Sequence, residues 1–143
     1  MNYKTSRTEK IRDTIELTDE NGKVVKSLDV TLDADIVGKD LMLRWNEFAE
    51  LTRRLKEAQT AYDKAEFYKI VGAYVKAVDV LFAMVFGEKN RVEIYEFFEN
   101  SYTEMVQQLV PYIFERVIPA VKASVNKHKN ALKTAFKKNL WKA

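Results

Sequence analysis

Few residues in this chain could do chemistry. The only histidine, His128, sits in VNKHKN among lysines, with no carboxylate near it in sequence. A catalytic histidine needs a base, an orienting carboxylate or a metal. The spacing therefore predicts a solvated surface residue. The absence of cysteine removes thiolate nucleophiles, thiolate metal sites and disulfides. There is no second histidine to build a zinc site. The four glycines, Gly22, Gly38, Gly72 and Gly87, are too scattered to form a phosphate loop. Asp33 and Asp35 resemble paired carboxylates, but a helix cap accounts for them. Asp79, within AVDVLF, would be costly if buried alone and reads as a packed interhelical partner. The inventory points to a non-enzyme with no catalytic residues, no metal site and no cofactor.

The unusual feature is aromatic. In VFGEKNRVEIYEFFENSYTEMV, Val85 to Val106, Phe86, Tyr95, Phe97, Phe98 and Tyr102 recur at helical spacing. Ile94, Tyr95, Phe97 and Phe98 crowd one short helix and make it apolar on two sides. One reading is a plug in the core. The other is a second face covered by another subunit, since aromatics enrich interface cores. Ile94, Tyr95, Phe97, Phe98 and Tyr102 are accordingly candidate interaction residues.

The elements that must position these residues are legible. Residues 1–10 are polar and are expected to fray. In IRDTIELTDENGKVVKSLDVTLD, Asn21-Gly22 predicts a two-residue hairpin turn. Ile11 would then face Leu32, Ile15 face Leu28, and Leu17 face Lys26. Val30 falls between Leu28 and Leu32, so the apolar residues share one face. That face must rest on a helical body or on another chain. Asp33 or Asp35 can cap a first helix with the stripe Leu41, Trp45, Phe48, Leu51, Leu55, Ala58, Tyr62, Ala65. Asp63 with Glu66 could restart it as a second helix, although no Gly or Pro compels a break. A central apolar helix, Phe67 to Val85, ends at Gly87. Asn90 with Glu93, and Ser101 with Glu104, have the spacing of two further helix starts, near Arg91–Glu99 and from Tyr102. Pro111 and Pro119 should kink or restart the last pattern. The fold class expected is mainly α: an N-terminal β-hairpin (11–33), a helical body (34–121) of four to five helices, and a basic amphipathic helix (122–143), in a single domain.

Composition agrees. With 143 residues, 47% hydrophobic and 31% charged, the chain can bury a core without staples. No apolar run approaches the ~18 residues of a membrane span. The opening MNYKTSRTEKIRD lacks the apolar segment of a signal peptide, so an intracellular soluble protein is expected. The net charge of +3 is divided unevenly: residues after Glu115 carry +8 and no acid, leaving −5 on residues 1–115. Lys127, Lys129, Lys133, Lys137 and Lys138 form the basic tail, with Leu132, Phe136, Leu140 and Trp141 as its apolar side. The tail can be a solvated helix, a contact with the acidic body of a neighbouring copy, or a nucleic-acid or membrane contact. The acidic body and the lack of a base-reading motif argue against nucleic acid.

The order of parts carries a resemblance. A hairpin, DTIELTDENGKVVKSLDVTLDAD, leads into helices and then into VLFAMVFGEKNRVEIYEFFENSYTEMVQQLVPYIFERVIPAVK. A helix ending in Phe86-Gly87, a short aromatic helix Ile94 to Phe98, and a segment Tyr102 to Pro119 follow one another. This resembles the small tail assembly chaperones of siphophages and prophages of Gram-positive bacteria, over most of residues 13–123. The resemblance implies a non-enzymatic protein that coats the tape measure protein before tail tube subunits polymerise. It implies rings or spirals of copies, the tape measure protein and the tail tube protein as partners, the host cytoplasm as location, and absence from the finished virion. Membrane and nucleic acid are not expected partners. The alternative from a different class is a basic regulatory or nucleic-acid-associated protein acting through the lysine tail.

Overall fold

The computed structural model of the chain describes residues 2–6 and 10–141, apart from the side chains of Phe136, Lys138, Asn139, Leu140 and Trp141. The fraying expected of residues 1–10 lies partly outside that range. Strands β1 (Ile11–Thr18) and β2 (Val24–Leu32) form an antiparallel hairpin. Ile11 faces Leu32, Ile15 faces Leu28 and Leu17 faces Lys26, as the alternation predicts.

The turn is not the one expected. Gly22 N–H donates to Asp19 O at 3.0 Å, and Asp19 N–H to Lys23 O at 2.9 Å. Glu20 and Asn21 hold the centre, and Gly22 alone takes a positive φ, of 79°. This is a three-residue loop with glycine at the bulge position, in place of a type I′ turn. The Asp19 carboxylate explains the choice: it accepts from the N–H of Asn21 at 2.9 Å and of Lys23 at 3.0 Å, folding the loop back on its own side chain. The longer loop displaces the pairing by one residue, so Thr18 faces Val24. Val25 is then left without a partner, and this bulge restores the register beyond it. Without it, Leu28, Val30 and Leu32 would turn to solvent.

Helix α1 (Ala34–Thr60) begins at Asp33, whose carboxylate accepts from Asp35 N–H at 3.1 Å. The stripe Leu41, Trp45, Phe48, Leu51, Leu55 and Ala58 faces inward. Tyr62 and Ala65, expected on that stripe, are exposed, because α1 stops before them. The stop needs no Gly or Pro: Tyr62 takes φ 55°, and Asp63 N–H reaches back to Ala58 O at 3.1 Å. That is the six-to-one bond that closes a helix C-terminus. Asp63 then caps α2 (Lys64–Phe86), accepting from Glu66 N–H at 3.1 Å. Residues 34–86 are thus two helices. Gly87 ends α2 with φ 79°.

Helix α3 (Glu88–Phe97) starts three residues before the expected Arg91, with Gly87 as its cap. Asn90 does not cap it. Its side-chain amide donates instead to Asp29 O of β2 at 2.7 Å. Ser101 does cap α4 (Tyr102–Tyr112), accepting from Glu104 N–H at 3.3 Å. A π turn (Ile113–Val117) and α5 (Ile118–Trp141) continue α4 without a break. Pro111 lies within α4 without ending it, and a widened turn precedes Pro119 where a kink or restart was expected. In a regular helix the Pro119 ring would strike the carbonyl of Glu115. The π turn, closed by Ile118 N–H on Ile113 O, ends at Val117, with only Ile118 between it and that proline. The boundary expected at 121/122 falls inside α5.

One core joins these elements. Leu41 of α1, Leu81 and Phe82 of α2, Ile94 of α3, Met105 of α4 and Ile113 of the π turn are fully enclosed. Leu17, Leu28, Val30 and Leu32 join them from the hairpin. Each such side chain contributes about 1.5–3 kcal/mol over its exposed state, which is how a lone hairpin is held. The result is mainly α, with a two-stranded hairpin lying on a bundle of helices.

Candidate functional site

The aromatic helix α3 divides its residues between two tasks. Ile94 is fully buried and is withdrawn as an interaction residue: it is a core plug. Tyr95 and Tyr102 are half-buried, and both hydroxyls donate to the Asp79 carboxylate, at 2.5 and 2.8 Å. Asp79 is therefore the packed interhelical partner that the sequence suggests, tying α2 to α3 and α4. The Arg91 guanidinium lies 4.9 Å from the centre of the Tyr95 ring. Burial first, then the Asp79 carboxylate, pushes the Tyr95 and Tyr102 phenols above their ordinary range. Both stay protonated donors at neutral pH, a structural role.

Phe97 and Phe98 differ. They are half-buried, stacked edge to face with ring centres 4.9 Å apart, and they border an open cleft of about 770 Å³. Ile15 and Leu17 of β1 and Leu109 of α4 form the rest of its apolar lining. Glu16, Asp19, Glu20 and Glu104, all exposed, are among its lining residues, and among the described residues no basic one lines it. Pairing alone could not show this cleft, since β1 and the end of α3 are remote in the chain. The sequence signal for it was the −5 charge of the body.

The hairpin that forms one wall is fixed at both strands. Tyr112 hydroxyl donates to the Asp13 carboxylate at 3.0 Å, and Arg116 does so at 3.2 Å. The Thr14 backbone N–H, at 2.8 Å, is the main cause that holds Asp13 below the usual carboxylate range. Lys26 of β2 pairs with Glu93 of α3 at 2.9 Å.

A second surface lies between α1 and α5, which run antiparallel. Gly38 lets them approach closely: a β-carbon there would come within 2.9 Å of Val125 Cγ2. Gly38, Met42, Leu43 and Val125 line an apolar furrow of about 420 Å³. At its end His128 meets Asp35. The side chain is only 29% exposed, and Nδ1 abuts Asp35 Oδ1. The expectation of a solvated histidine is corrected: the carboxylate absent from its sequence neighbourhood is supplied by the start of α1.

Beyond His128, α5 stands clear of the body. Lys129 to Ala135 and Lys137 are exposed, Leu132 by 72%, and Lys127 is exposed just before them. The side chains of Phe136, Lys138, Leu140 and Trp141 lie outside the described residues. Among the described residues no helix is long and apolar enough to cross a membrane, and no group of three His, Asp or Glu side chains is placed to hold a metal. No family model matches the chain, and neither a curated protein nor a solved structure matches it.

Proposed function

We propose that this protein is a phage tail assembly chaperone that coats the tape measure protein non-covalently during tail morphogenesis. It would act in the host cytoplasm, assemble as a ring or spiral of copies, meet the tail tube protein as the tube forms, and be absent from the finished virion. The observation that carries this reading is the order of parts in residues 13–123, from the hairpin through Phe86-Gly87 and the aromatic helix to the Tyr102–Pro119 segment. The geometry adds surfaces suited to such work. The apolar furrow between α1 and α5 fits the apolar face of a long helical client. The half-exposed aromatics beside the acidic cleft fit a protein contact.

Co-expression with the tape measure protein of the same genome tests the proposal. The expected outcome is a soluble complex recovered on either partner. An insoluble client and no complex across several client lengths would overturn it. A second reading, a basic nucleic-acid-associated protein, is favoured by one observation, the exposed Lys127, Lys129, Lys133 and Lys137. It requires duplex DNA binding that weakens steeply with salt.

A further inference from the structure

The two ends of one helical run are chemically complementary. At one end, Glu104, Gln108, Leu109 and Tyr112 of α4 form a wall of the acidic cleft. At the other, the projecting part of α5 carries Lys129, Lys133 and Lys137, each four apart, beside Leu132, Phe136 and Leu140 at the same spacing. That is a basic amphipathic arm, and the cleft offers an apolar lining with four carboxylates on its hairpin and α4 walls. Its volume is that of an ordinary binding cleft.

The arm cannot reach the cleft of its own chain. From Tyr112 to Lys129 the helical run rises about 25 Å at ~1.5 Å per residue, and the arm continues away from the cleft. A second copy meets no such obstacle. We infer that residues 129–141 of one copy dock in the Ile15–Leu17–Phe97–Phe98 cleft of the next. The contact joins unlike surfaces, so it is heterologous: it closes a ring if the rotation closes, and otherwise runs on as a spiral. It deepens the self-association proposed above and rests on that part of the reading, independently of the client.

The test uses the full chain and two charge-reversed forms. One carries Glu16→Lys with Glu20→Lys in the cleft, the other Lys129→Glu with Lys133→Glu in the arm. All four positions are exposed, and melting temperatures confirm that each form folds. Sedimentation velocity at low salt should show the wild type associating, each reversed form weakened on the order of tenfold or more, and an equal mixture of the two restored. Restoration distinguishes a specific arm–cleft contact from general charge effects. Association that survives cleft reversal, or a mixture that remains monomeric, overturns the inference. A client-solubilising wild type that stays monomeric overturns the docking and leaves the chaperone reading standing. A wild type that associates as inferred but fails to solubilise the client does the reverse. Association that appears only with client bound in the cleft also overturns the docking.

Discussion

Asp13 is a single carboxylate that fastens the hairpin to the last helical run. Its folded pKa lies below its ordinary value, chiefly through the Thr14 N–H, with Tyr112 and Arg116 adding to it. A depressed carboxylate stabilises the fold above its unfolded pKa, and that contribution is lost as pH falls through the folded value. The stability difference between wild type and Asp13→Asn should therefore be full above about pH 5 and shrink below about pH 4. Urea unfolding across that range measures it, and a difference independent of pH would assign the effect to Tyr112 packing instead. Gly22 is the other sensitive residue. Its φ of 79° suits no β-branched side chain, although nothing crowds it. Gly22→Val should cost on the order of 1–3 kcal/mol, read by thermal melting. His128→Ala should cost less than about 1 kcal/mol, the range of a partly exposed pair.

Among the elements, two junctions decide the arrangement of helices. The α1–α2 junction places Tyr62 in the left-handed region, a conformation that costs a side-chain-bearing residue about 1–2 kcal/mol. Because Tyr62 is 91% exposed, little packing opposes its removal. Tyr62→Gly should stabilise the protein by about 0.5–1 kcal/mol, after allowing for the freer unfolded chain. The α1–α5 contact depends on Gly38, where even a β-carbon would press on Val125 and Val121. Gly38→Leu should force the helices apart and cost about 1–3 kcal/mol. A melting temperature equal to wild type would show that α5 is not seated on α1 as described.

For the whole molecule, the question is where the folded body ends. Val125 packs on Gly38 and His128 on Asp35, so the body extends to residue 128. Deleting residues 124–143 would remove part of that packing. Deleting residues 129–143 should leave the melting temperature within a few degrees of wild type while reducing self-association. A large loss of stability would show that the arm folds against its own body. For the client surface proposed above, Leu43→Asp is the direct probe, because Leu43 is 55% exposed in the α1–α5 furrow. If the proposed function holds, it should lower the yield of soluble tape measure protein without unfolding this protein itself.

Local order was legible because its causes are local. Strand alternation, helical periodicity and the caps at Asp33, Asp63 and Ser101 each act within a few residues, and the structure follows them. The hairpin register holds although the loop has three residues in place of two, because burying Leu28, Val30 and Leu32 together outweighs any one loop geometry. The charge division was also plain, being a property of composition. The sequence could not say that Asn90 reaches across to Asp29 or that His128 finds Asp35. Nor could it say which apolar residues of the short helix are buried: Ile94 lies in the core while Phe97 and Phe98 are left at a cleft. Those outcomes depend on which distant segments the closing of the core brings together, and no spacing within one segment encodes that.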